Sequence, residues 1–135
     1  MLSSPRKVSK LFIKFVVWNK FAKAEQLLIQ YPEYVMPWQK AFEEASANNS
    51  YNACKWIYDK AKDLSIQIDI HYKNNEILTI PCKMDYLDTI IMIISWDNNY
   101  PWMETITPLL ETSTKKDKII SKINDIILLT PQDNS

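Results

Sequence analysis

The 135 residues include no glycine. Average usage would place about nine in a chain of this length, so the absence constrains every reversal of the backbone. A left-handed residue, with φ near +60°, costs an ordinary L-amino acid about 1–2 kcal/mol. Asparagine and aspartate tolerate that region next best after glycine. Tight turns are therefore expected on Asn or Asp, and the pairs Asn48-Asn49, Asn74-Asn75 and Asn98-Asn99 are the natural markers. The same absence removes a class of chemistry. Phosphate-cradling loops and dinucleotide fingerprints need glycine where the backbone approaches phosphate, and neither can be written here.

Apolar residues recur at helical spacing between these markers. In residues 8–30, Leu11, Phe12, Phe15 and Val16 form one set, and Phe21, Ala24, Leu27 and Leu28 form another. Trp18-Asn19-Lys20 separates the two as a tight turn. Tyr31-Pro32 ends the second helix, because the residue before proline avoids helical geometry. A second block, residues 37–62, starts at Pro37, turns at Asn48-Asn49-Ser50 and resumes with Tyr51, Cys54, Trp56 and Ile57. A third, residues 75–96, has Ile77, Leu78 and Cys82, then a turn at Met84-Asp85, then Leu87, Ile90, Ile91 and Ile94. Pro81 would kink a helix at about 3 kcal/mol unless it falls in the first turn, so this block is expected to begin irregularly. Between the second and third blocks, Ile66 to Tyr72 alternates apolar and polar residues like a strand and suggests an extended finger or a short hairpin arm. Residues 100–129 predict capping helices: a short one before Ser113, and an amphipathic one from about Lys115 that Thr114 and Asp117 would start. Residues 130–135 form a polar tail.

Superposing the blocks gives a repeat. Phe12, Phe42 and Leu78 share one position, Asn19, Asn49 and Asp85 the turn, and Phe21, Tyr51 and Leu87 the next helix start. A period near 33 residues made of two short helices and a turn marks a helical solenoid, in which stacked pairs bury apolar faces that one pair cannot bury alone. The expected fold is thus all-α, one domain, a short solenoid of helix-turn-helix repeats with a helical C-terminal cap.

The second and third blocks resemble the ankyrin-like repeats of giant DNA viruses of amoebae. The residues that carry the likeness are Ala41-Phe42, Ala45, Asn48-Asn49-Ser50-Tyr51 and Lys55-Trp56-Ile57-Tyr58, then Ile68-Asp69-Ile70-His71, Ile77-Leu78, Cys82, Asp85-Tyr86-Leu87 and Ile90-Ile91. Residues 8–97 take part, the first block more weakly. Asn19, Asn49 and Asp85 stand where that family has the turn glycine, and Lys20, Ser50 and Tyr86 where it has histidine. The resemblance implies a viral protein that binds a host or viral partner through finger loops and the first helix of each pair.

Little in the chain suggests catalysis. His71 is the single histidine, and Cys54 and Cys82 are the only cysteines, in no metal-ligand spacing. Adjacent carboxylates such as Glu43-Glu44 point about 100° apart on a helix and do not converge on one atom. No catalytic, metal or cofactor-binding residue is assigned, and no cofactor is expected. The sixteen basic and sixteen acidic residues cancel, which argues against nucleic acid as a partner. Lys7, Lys10 and Lys14 share a helical face and read as a solvated surface, or as a local patch for an acidic protein or nucleic acid. No apolar run is long enough to span a membrane. The expectation is an intracellular, cytoplasmic binding module without enzymatic activity. Its fingers are expected around Glu33 to Trp38 and Asp69 to Asn75, and its candidate partner contacts are Tyr34, Trp38, His71 and Tyr72 there and Trp102 near a predicted helix start. The alternative is a structural protein that assembles with copies of itself.

Overall fold

The computed structural model describes residues 3–129, and the tail expected at residues 130–135 lies outside them. The chain is all-helical, with no strand among the described residues. It divides into two compact units, Met1–Asp69 and Ile70–Ser135.

Unit 1 holds α1 (Pro5–Val17), α2 (Phe21–Gln30), α3 (Trp38–Ala47) and α4 (Tyr51–Asp63). Helix α1 shows why these segments fold as they do. Ser4 caps it by accepting from the Lys7 N–H at 3.3 Å, and Pro5 supplies a pre-set first residue. Val8, Phe12 and Val16, four apart, form a fully buried stripe. The helix stops where Asn19 turns left-handed at φ 61°. The Lys20 N–H then donates back to the Phe15 carbonyl at 2.7 Å, closing the chain reversal that glycine usually makes. Helix α1 packs on α2 within its hairpin and on α3 and α4 of the next, so unit 1 is two helical hairpins side by side. Their seam is aromatic: Phe12, Phe21, Trp38 and Trp56 meet with ring centroids 5.0–6.3 Å apart.

Unit 2 opens with a single turn, Tyr72–Asn75, and a 3-10 turn, Glu76–Leu78. Helices α5 (Thr79–Lys83), α6 (Leu87–Ser95), α7 (Trp102–Leu109) and α8 (Lys116–Leu129) follow. Pro81 is the third residue of α5, where its missing N–H has no intrahelical partner to lose. The preceding 3-10 turn and the five-residue length of α5 are the irregularity it brings. Helix α5 packs on α6 and α7, and α8 on α6 and α7. The core includes Leu78, Ile90, Ile93, Trp102, Ile106, Leu110, Ile119 and Ile123, each at most 1% exposed.

The turns share one hydrogen-bond register. Asn19, Asn49 and Asp85 have φ of 61°, 54° and 60°. The next residue donates back five positions in each: Lys20 to Phe15, Ser50 to Ala45 and Tyr86 to Pro81. Four residues further on, Ala24, Cys54 and Ile90 are buried and donate to Lys20, Ser50 and Tyr86. Seven residues before each turn, Phe12, Phe42 and Leu78 are fully buried. Offsets of 30 and 36 residues thus relate three turns of like geometry, although Leu78 lies in the 3-10 turn while Phe12 and Phe42 lie inside α1 and α3.

Three expectations need correction. Ile66 to Tyr72 forms no strand, so of the two forms expected for it the hairpin arm is absent. No neighbouring strand offers it a ladder, and although Ile68 and Ile70 are buried, Ile66 is 37% exposed. Asn98-Asn99 lies in a turn but is not left-handed, whereas Ser65 and Lys73 are, at φ 59° and 50°. The Thr114 hydroxyl, expected at the start of α8, is turned toward the Asp85 turn. It donates to Asp85 Oδ2 at 3.3 Å, and the Ser113 hydroxyl donates to Asp85 Oδ1.

Candidate functional site

The finger of unit 1, Tyr31 to Pro37, joins α2 to α3. Tyr34 stacks on Tyr31 with centroids 5.1 Å apart and donates its hydroxyl to the Ser3 carbonyl at 2.9 Å. Pro37 holds φ −82° and ψ 66°, and the Trp38 N–H donates across it to the Met36 carbonyl at 2.9 Å. This inverse γ-turn starts α3 with Trp38 facing inward. Trp38 is 6% exposed and meets Phe12 edge-on, so its ring belongs to the core. Val35 points the other way and is 90% exposed. The Gln39 amide pairs with Asp69, donating to its carbonyl at 2.8 Å and accepting its N–H at 2.9 Å. A groove of about 770 Å³ opens beside the finger, with Val35, Met36, Leu64 and Ile66 among its walls.

The other three residues lie in unit 2. Trp102 repeats the geometry of Trp38. Pro101 has φ −75° and ψ 68°, and the Trp102 N–H donates to the Tyr100 carbonyl at 2.7 Å. Trp102 is fully buried, and its indole donates to the Asp97 carbonyl at 2.6 Å. His71 lies in the same cluster. Its Nδ1 faces Asn75 Oδ1 at 2.5 Å and its Nε2 faces Asp97 Oδ2 at 2.8 Å. Asn75 Nδ2 donates to the Tyr100 hydroxyl at 2.8 Å, and the His71 ring stacks on Tyr100 at 4.0 Å and on Trp102 at 5.1 Å. The structure therefore joins His71 and Trp102. Tyr72 is 42% exposed, with the Lys73 ammonium 5.6 Å from its ring centroid.

This cluster clamps an unusual backbone. Lys73, Asn74 and Asn75 are left-handed in succession, with φ of 50°, 60° and 65°, and the Asn75 N–H closes the turn on the His71 carbonyl at 3.1 Å. Three such residues cost a few kcal/mol, at about 1–2 kcal/mol each for residues with a Cβ. The bonds at His71 and Asn75 offset that cost. Both ring nitrogens of His71 thus face oxygen atoms of unit 2.

The two cysteines are free and buried. Burial pushes the Cys54 thiol up to about 12, and burial followed by the Asp85 carboxylate does the same for Cys82. The thiolate is the nucleophile, so both cysteines are poor ones. No group of three metal-ligating side chains occurs among the described residues. No helix among them is long and apolar enough to cross a membrane.

What stands out instead is unassigned surface. Trp18 is 69% exposed at the end of α1, and Ile29, like Val35, is largely exposed. Sequence reading did not single out Trp18, although its place just before the Asn19 turn and off the apolar stripe of α1 was a usable signal. It also missed Asn75, Asp97 and Tyr100. Their signal was the triplet Tyr100-Pro101-Trp102, which parallels Met36-Pro37-Trp38. Charge is divided as well: Met1–Asp69 has ten basic and seven acidic residues, Ile70–Ser135 six and nine. Comparison with known protein families, with curated proteins and with solved structures finds no match for this chain.

Proposed function

We propose that this chain is a non-catalytic protein-binding module made of ankyrin-like hairpins, with its binding surface on the finger and first helices of unit 1. The common hydrogen-bond register of the turns at Asn19, Asn49 and Asp85 carries this reading. Within unit 1 the hairpins turning at Asn19 and Asn49 pack side by side, which holds the rest of their surface rigid. The side chains left outside that framework include Trp18, Val35 and Leu64, apolar groups of the kind that anchor partners. On this reading the partner is a host or viral protein met in the cytoplasm, as the resemblance to viral repeat proteins implies.

The test is affinity capture from the native cell with the whole chain, alongside Trp18→Ala and Val35→Asp variants of unchanged helicity. Trp38 is unsuitable for this purpose because its ring supports the core. One protein retained by the parent chain and lost from either variant is the expected result. Equal recovery on all three baits, or no specific protein at all, rejects the reading.

A second reading, self-assembly as a structural protein, is favoured by the charge division. The basic excess of unit 1 complements the acidic excess of unit 2 in another copy. Light scattering at low and high salt separates the two. Assembly that dissolves with salt supports the second reading, and a monodisperse monomer throughout rejects it.

A further inference from the structure

The first acidic residue of the chain is Glu25; before it stand Arg6, Lys7, Lys10, Lys14, Lys20 and Lys23. Four of these belong to α1, which has no acidic residue at all. Its apolar stripe of Val8, Phe12 and Val16 is buried, so Arg6, Lys7, Lys10 and Lys14 all face solvent. Lys10 and Lys14 do not stand on an open ridge. With Trp18 they form one wall of a groove of about 450 Å³, and α3 supplies the other through Lys40, Glu44 and Asn48. The groove thus gathers three ammonium groups and one carboxylate. The ion pairs found among the described residues are Lys60 with Glu25 and His71 with Asp97, and neither involves these lysines. Like charges held around one concavity repel each other in the free protein.

We propose that this α1–α3 groove binds an acidic peptide segment of a protein partner, with carboxylates at Lys10, Lys14 and Lys40 and an apolar side chain over Trp18. The proposal rests on the protein-binding reading above and adds the chemistry of the partner. Charge complementarity selects the occupant. Lys10 and Lys14, one helical turn apart, lie about 6 Å apart along the axis, within reach of neighbouring carboxylates on one peptide. Glu44 and Asn48 make the far wall poor for a continuous phosphate backbone, which is bound by cationic tracks. An exposed indole beside ammonium groups suits a peptide that carries both acidic and apolar residues.

The test uses the full chain and a fluorescein-labelled peptide of repeating Glu-Glu-Leu, read by anisotropy. Exposed ion pairs contribute about 0.2–1 kcal/mol each, a factor of roughly 1.5–5 in affinity. Lys10→Glu with Lys14→Glu is expected to weaken binding about tenfold or more, and Trp18→Ala severalfold. Lys55→Glu with Lys62→Glu changes the net charge equally on α4, away from the groove, and should have a much smaller effect. Equal loss from both pairs of substitutions overturns the proposal, because attraction would then be to net charge alone. A single-stranded oligothymidylate or phosphatidylserine vesicles that bind more tightly and displace the peptide overturn it in favour of phosphate. Salt-sensitive dimerisation abolished by Lys10→Glu with Lys14→Glu overturns it in favour of a second copy.

Failure of this inference is distinct from failure of the protein-binding reading. A cellular partner that is captured equally by the parent and by the Lys10→Glu, Lys14→Glu chain, but lost with Val35→Asp, leaves the module intact and removes the acidic groove.

Discussion

The two units use one kind of turn and support it differently. In unit 1 the Ser50 hydroxyl, just after the Asn49 turn, reaches back to the preceding hairpin and donates to the Val17 carbonyl at 3.1 Å. In unit 2, Ser113 and Thr114 do the same from the α7–α8 connection, but they reach the carboxylate of Asp85. Unit 1 closes its seam with aromatic rings, and unit 2 adds the polar network of His71, Asn75, Asp97 and Tyr100. Without glycine, unit 1 needs isolated left-handed Asn or Ser residues, whereas unit 2 holds three in a row and surrounds them with bonds. Strain of that size persists only where neighbouring groups over-determine it.

The comparison breaks most visibly at Phe12. Phe12→Ala removes a fully buried ring that touches Trp38 and Trp56, and is expected to cost about 3–5 kcal/mol. Chemical denaturation followed by circular dichroism measures it. A loss under 1 kcal/mol would mean that the aromatic seam does not hold unit 1.

Asn75 tests the polar counterpart. Asn75→Ala leaves the His71 and Tyr100 partners unsatisfied and puts at φ 65° a residue that tolerates the left-handed region less well than asparagine, for about 2–4 kcal/mol in all. Asn75→Gly keeps the backbone and loses only the bonds, so it should be the milder change. Equal losses from the two would show that the left-handed turn stores no strain.

Alkaline pH acts on both units through Cys54 and Cys82. Each thiol is held above its unfolded value of 9.0, at about 12, so the folded state retains a proton that the unfolded chain releases. The stabilisation is therefore present below pH 9 and is lost as pH rises towards 12. The slope is about 1.4 kcal/mol per pH unit for each thiol. Denaturation of the Cys54→Ser and Cys82→Ser chains at pH 8 and pH 10 checks it; a slope unchanged by both would refute the assignment.

The smallest change is expected at Ser65, left-handed after α4 at φ 59°. Ser65→Gly relieves about 1–2 kcal/mol of backbone strain and adds about 0.5–1 kcal/mol of unfolded-chain entropy. A net gain of up to about 1.5 kcal/mol should appear as a higher melting temperature. Destabilisation would show that the serine side chain, rather than the backbone, matters at this turn.

The candidate groove was half legible in advance. Lys7, Lys10 and Lys14 share a face in any helical reading, but Lys40 joins Lys10 and Lys14 only because α3 lies beside α1. Trp38 and Trp102 read as finger residues, and the proline-centred turns direct both rings into the core. Local sequence gives no measure of which side of a loop is covered, since that depends on elements far along the chain.

What the sequence determined by itself is local and periodic. The stripe of Val8, Phe12 and Val16, the Ser4-Pro5 start, and the left-handed turns at Asn19, Asn49 and Asp85 follow from side-chain spacing and from the lack of glycine. Those signals reside in a few neighbouring residues and need no partner. The tertiary structure alone decided that Ile66 to Tyr72 forms no strand, that His71 is bound by Asn75 and Asp97, and that three lysines share a groove. The Asp97 contact of His71 and the meeting of Lys40 with Lys10 and Lys14 join residues 25 or more apart, the local His71–Asn75 bond is held in that same cluster, and the missing strand reflects the absence of a neighbouring one. The energy of such contacts exists only once the helices have packed.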